Sequence, residues 1–128
     1  MRASVPFAVI ATLLAAVPAA GGEVISLEEW LALTSGKTVH YAVNGEESGR
    51  EYYPDGGRFA VFEAPNGDCV EGPWAHTDGR FCFWYGEHFQ CFIHMRLDGV
   101  LISRPDTGGA DQIITEIADD EPLVCVPG

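Results

Sequence analysis

The residues that could do chemistry are few. The histidines are His40, His76, His88 and His94, and two of them belong to the run His88-x-x-Cys91-x-x-His94-Met95. His, Cys and Met together suit copper in exported proteins. On an extended strand, however, residues 88 and 94 point away from 91 and 95, so such a run does not converge on one ion. Neither a metal nor another cofactor is therefore expected, and a metal-binding or hydrolytic use of His76, His88 or His94 stands as the alternative. Glu63, Glu71 and Asp78 are carboxylates of the type that glycoside hydrolysis pairs. A short chain built from hairpins is a poor scaffold for the deep cleft such catalysis needs. There is no G-x-S-x-G elbow, and the glycines sit singly in turns rather than in a phosphate-binding loop ahead of a helix. No catalytic residue is assigned, and the expectation is not an enzyme.

Aromatic side chains form the densest feature, running from Tyr41 to Phe92. Most of them must fill a core. Those that do not would line a pocket or a binding patch, where Tyr and Trp supply contact area at low entropic cost. Trp74, Trp84 and Tyr85 are the binding candidates. An unidentified protein, a glycan or a small apolar ligand are the partners such a surface would suit.

What must position these residues is a set of β-hairpins. Asn44-Gly45, Asp55-Gly56, Asn66-Gly67, Asp78-Gly79 and Asp98-Gly99 are turn signals at nearly regular intervals, with a further turn at Gly86-Glu87-His88. The segments between them predict strands at 38–43, 49–54, 58–64, 69–76, 80–85, 90–97, 100–104 and 112–117. No helical pattern separates them, so a parallel sheet with crossovers is excluded. Ser26 and Glu29 form a capping box for one short helix that Gly36 stops. Residues 80–85 read Arg-Phe-Cys-Phe-Trp-Tyr and are apolar on both faces, which demands cover on both. The fold expected is mainly β, an antiparallel meander of about 7–8 strands closing into a strongly curved sheet or small barrel. The helix would plug one end or lie across a face, and a two-sheet sandwich is the alternative. Pro73 cannot donate to a ladder, so a bulge or an edge is expected near Gly72-Pro-Trp74.

The chain has 128 residues, and its 7 basic against 19 acidic side chains give a net charge of −12. So acidic a surface repels phosphates, which argues against nucleic acid and anionic membranes as partners. Arg2, an apolar run from Val5 to Val17 and small residues up to Gly22 are the three parts of a signal peptide. The domain plan is therefore a signal peptide over residues 1–21 and one disulfide-stabilised β domain over 22–128. The location expected is periplasmic or extracellular, without membrane insertion. In an oxidising compartment Cys69, Cys82, Cys91 and Cys125 would form two disulfides, for which three connectivities exist. If Tyr85 pairs with His88 across Gly86-Glu87, the same register sets Cys82 opposite Cys91, close enough to bridge. Cys69 would then bridge Cys125.

Four stretches also carry a resemblance: Gly49-Arg-Glu-Tyr-Tyr-Pro-Asp-Gly56, Cys69-Val-Glu-Gly-Pro-Trp74, Asp78-Gly-Arg-Phe-Cys-Phe-Trp-Tyr85 and Cys91-Phe92. The pattern Y-x-x-D-G, C-x-x-G-x-W, G-x-x-C-F-x-Y and a further Cys resembles a group of small exported bacterial proteins, a domain-of-unknown-function family. The likeness spans roughly residues 37–95. It implies a periplasmic β domain and assigns no catalytic or binding residue.

Overall fold

A computed structural model of the chain describes residues 22–126, so the signal peptide expected over residues 1–21 lies outside the described residues. In chain order the elements are β1 (Glu23–Val24), α1 (Leu27–Thr34), β2 (Lys37–Val43), β3 (Glu46–Tyr53), β4 (Phe59–Glu63), β5 (Cys69–Thr77), β6 (Arg80–Tyr85), β7 (His88–Leu97), β8 (Val100–Pro105) and β9 (Gln112–Ala118). Each strand from β2 to β9 pairs antiparallel with the next, and β9 returns to pair with β2. The result is a closed eight-stranded barrel, with β1 added against the second half of β7. Closure rules out the two-sheet sandwich.

Local chemistry explains the meander. Asn44, Asp78 and Asp98 adopt φ of 51–52°, and each is followed by a glycine with positive φ. Two successive residues of positive φ make the tight turn whose twist matches that of the flanking strands. The Gly86-Glu87 turn sets Tyr85 opposite His88 and carries the register down to Cys82 opposite Cys91. That pair is bridged, as is Cys69 with Cys125, in the connectivity expected from the hairpin.

Ser26 caps α1, its side chain accepting from the Glu29 amide at 3.1 Å. The helix plugs one end of the barrel. Trp30 enters the interior and packs on Tyr53, Phe81 and His94, with ring centroids 5.6, 5.7 and 4.0 Å away. Trp74 and Phe83 continue this core toward the middle of the barrel.

Two expectations are corrected. Pro73 makes neither a bulge nor an edge: β5 lies between β4 and β6, and Pro73 pairs with Phe59. The ladder to β6 starts only at Trp74, so the missing N–H falls where that ladder has ended. The bulges lie instead around β2, between Tyr41 and Ala42 against β3 and between His40 and Tyr41 against β9. Secondly, β6 is not fully covered on its outer face. Cys82 is buried there, but Trp84 is 41% exposed and packs at 4.8 Å, tilted by 41°, against Phe89, itself 56% exposed.

The outer face of the opposite wall is strapped by the chain after β9. Thr38 donates to the Glu121 carbonyl, and the Glu121 carboxylate meets His40 Nε2 at 2.6 Å and Arg50 Nη1 at 3.1 Å. Leu123 is buried in this tail, which ends pinned to β5 through Cys125. Removing the Cys69–Cys125 bridge frees a loop with a sequence separation of 56, against 9 for Cys82–Cys91. The loop-entropy model gives about 4 kcal/mol for the long loop and about 2.7 kcal/mol for the short one. Urea unfolding should therefore show the larger loss of stability for Cys69→Ser/Cys125→Ser than for Cys82→Ser/Cys91→Ser.

Candidate functional site

The end of the barrel away from α1 is open. Below its mouth lies a cavity of about 180 Å³. His88 and Gln90 stand exposed at the rim, with Phe62, Tyr85, Phe92 and Gln112 half-buried beneath them. Tyr41, Glu51, Phe83, His94 and Ser103 form the buried base. The walls are thus mainly aromatic, and the polar groups gather at the rim and the base.

Glu51 is the unexpected member, a carboxylate only 5% exposed inside the barrel. Tyr41 and Tyr53 donate to its Oε1 at 2.8 and 2.6 Å, and Tyr85 donates to its Oε2 at 2.5 Å. These hydroxyls come from β2, β3 and β6, so the carboxylate ties strands across the interior. Burial raises the Glu51 pKa above the ordinary value, and the hydroxyls of Tyr53, Tyr85 and Tyr41 only partly offset this. All three tyrosines are themselves pushed up, first by burial and then by the Glu51 charge, so they remain protonated donors.

A backbone irregularity turns Glu51 inward. Continuing the register of the Asn44-Gly45 turn would pair Glu51 with Thr38, on the outer face. Instead Ala42 pairs with Glu47 while Tyr41 pairs with Gly49, leaving Ser48 as an extra residue. From there on Glu51 opposes Val39, an inward residue of the core, and Arg50 takes the outside. Gly49 belongs to this bulge at φ 139°, and a Cβ there would meet Phe62 Cζ at 2.3 Å. The glycine makes room for a ring of the cavity wall.

His94 is the second buried titratable group. Its ring stacks on Phe81 at 4.3 Å and 7°, and neither ring nitrogen has a hydrogen-bond partner among the described residues. Burial, with His76 adding to it, lowers its pKa to about 3, so the ring is neutral. A neutral imidazole still has one donor and one acceptor to satisfy.

The sequence-derived candidates do not gather in one place. Trp74 is 2% exposed and belongs to the core, Tyr85 faces the cavity and donates to Glu51, and Trp84 points outward beside Phe89. A single patch of the three is not formed, because successive residues on β6 point to opposite faces. His88 and His94 share the inner face, whereas Cys91 is bridged to Cys82. His76 packs on Phe81 at 4.5 Å and does not line the cavity. Glu63 is paired with Arg50 at 2.8 Å, Glu71 is exposed on β5, and Asp78 occupies a tight turn, so these carboxylates are not brought together. Among the described residues no group of three His, Cys, Asp or Glu is placed to hold a metal. No helix among them is long and apolar enough to cross a membrane.

Sequence reasoning missed Glu51 because a charged residue on a strand reads as outward. The signal available was its place in step with Tyr53, two residues on, but the bulge that makes both inward is invisible without the paired strand. No family model, no curated protein and no solved structure matches this chain.

The two buried groups give opposite pH slopes. The folded Glu51 pKa is raised, so its contribution to stability is fully present below the unfolded value and is lost as pH rises through the folded one. The folded His94 pKa is depressed, so its contribution is full above the unfolded value near 6.5 and is lost as pH falls toward about 3. Replacing His94→Phe should flatten the loss of stability toward acid across that window in a urea-unfolding series, and Glu51→Gln should flatten the loss that accompanies rising pH above the ordinary carboxylate range. Tyr85→Phe removes one donor from the buried carboxylate. It should cost about 2 kcal/mol and raise the Glu51 pKa further, read by carboxyl carbon NMR titration.

Proposed function

We propose that this is an exported, non-catalytic binding domain that takes one small, ring-sized molecule into the open end of its barrel. The observation that carries the reading is the cavity itself, graded from a polar rim through aromatic walls to buried polar atoms at its base. An eight-stranded barrel has an interior that side chains can just fill, or that one small ligand can share. Here the helix end is filled and the other end is not. About 180 Å³ is close to the roughly 150 Å³ apolar cavity known to hold benzene.

The unpartnered nitrogens of His94 support the same reading. Buried polar groups without partners cost free energy unless a water or a ligand reaches them. Export is supported by the basic start and apolar run at residues 1–21 and by the two disulfides.

Titration with benzyl alcohol, benzoate and benzylamine, followed by protein NMR, tests the proposal. At least one of them should shift Tyr85, Phe92 and His94 in a saturable way. Gln90→Trp, a change at the exposed rim, should block the mouth and abolish that response while leaving the melting temperature unchanged. Shifts confined to Trp84 and Phe89 on the outer wall, or none with any compound, would overturn it.

A further inference from the structure

Glu51 has no counter-ion among the described residues. Every Lys and Arg among the described residues is engaged elsewhere: Lys37 with Asp119, Arg50 with Glu63 and Glu121, Arg80 with Asp106, Arg96 with Glu23 and Glu29, and Arg104 with Asp111. Arg58 lies over the Trp74 ring at 5.1 Å. None of them lines the cavity. The three tyrosine hydroxyls supply dipoles to the carboxylate and no positive charge. A carboxylate offers about four lone-pair sites, and three hydrogen bonds leave one free.

Buried charges in folded proteins are normally paired. We infer that the partner of Glu51 is the ligand, a small organic cation of the ammonium class, with its charge beside the carboxylate and its carbon surface against Tyr41, Phe83, Tyr85 and Phe92. The inference rests on the cavity-binding reading above and names the class of ligand it takes. Aromatic faces carry partial negative charge and attract cations, most strongly where water is excluded. A net charge of −12 draws cations toward the protein and repels anions. A bare divalent metal does not suit the site. One carboxylate lines it, while Ca²⁺ asks for six to eight oxygen ligands.

The test uses tetramethylammonium and its neutral isostere tert-butanol as probes, titrated into the wild type and Glu51→Gln and read by NMR. Wild-type protein should bind tetramethylammonium more tightly than tert-butanol by about tenfold or more, the scale of a desolvated cation–aromatic contact with a carboxylate beside it. Glu51→Gln should lose that preference.

A second measurement covers a variant that fails to fold. The titratable groups facing Glu51 are Tyr41, Tyr53 and Tyr85, with His94 and His88 on the same cavity wall. The tyrosines stay protonated and His94 stays neutral down to about 3. In His88→Gln protein, cation affinity should therefore fall as pH drops through the Glu51 pKa, because a proton competes for the same carboxylate. Tert-butanol affinity should not change.

Equal binding of the two probes overturns the inference, as does a cation preference that survives in Glu51→Gln or is indifferent to pH. Binding of tert-butanol or benzyl alcohol without tetramethylammonium sinks the charge assignment and leaves the cavity reading standing. If neither these probes nor the ring compounds bind, both fall.

Discussion

The return of β9 onto β2 is the constraint on which everything else depends. With that ladder formed, no strand of the barrel is left as a free edge, and every strand acquires an inside and an outside. The inside is what makes so short a chain capable of holding a core. Trp30, Tyr53, Trp74 and Phe81 fill the end beneath α1, where the helix closes the opening. Toward the other end the walls remain aromatic, but no side chain among the described residues is inserted between them. A hole is left, and its shape follows from which end received the helix.

Polar groups in that interior are held by geometry that spans the barrel. A carboxylate away from water is costly unless donors surround it, and Glu51 has three hydroxyls from three strands. The same arrangement keeps the tyrosine rings oriented as cavity wall. His94 solves the problem differently by giving up its charge, with its ring stacked on Phe81 and its nitrogens left unpartnered. One buried group is thus satisfied in hydrogen bonds yet lacks a counter-charge, and the other is neutral yet lacks hydrogen bonds. Both face the one cavity.

The outer surface is organised by separate devices. Along β2 to β5 the C-terminal tail lies across the barrel, fastened by Glu121 at one point and by Cys125 at another. Near β8, Asp106 donates its amide to the Cys91 carbonyl and pairs with Arg80 through its carboxylate. Trp84 and Phe89 lie outside the strap as a cross-strand aromatic pair, stabilising their hairpin directly.

Much of this was written locally. Asn-Gly and Asp-Gly pairs set the turns, so the strands fall within a few residues of where the spacing placed them, and the Gly86-Glu87 register brought Cys82 opposite Cys91. Ser26 and Gly36 bounded the helix for equally local reasons. Such features depend on φ preferences and hydrogen bonds between near neighbours, which a sequence displays. The cavity depended on what a sequence does not display. An extra residue at Ser48 reverses the facing of every later position in β3, sending Arg50 out and Glu51 in. Tyr85 lies 34 positions from Glu51 in the chain and meets it only because the barrel closes. Residue types and turn chemistry determined a disulfide-stapled meander. Tertiary structure alone decided which side chains face its interior, because side-chain direction on a strand alternates and one bulge is enough to invert it.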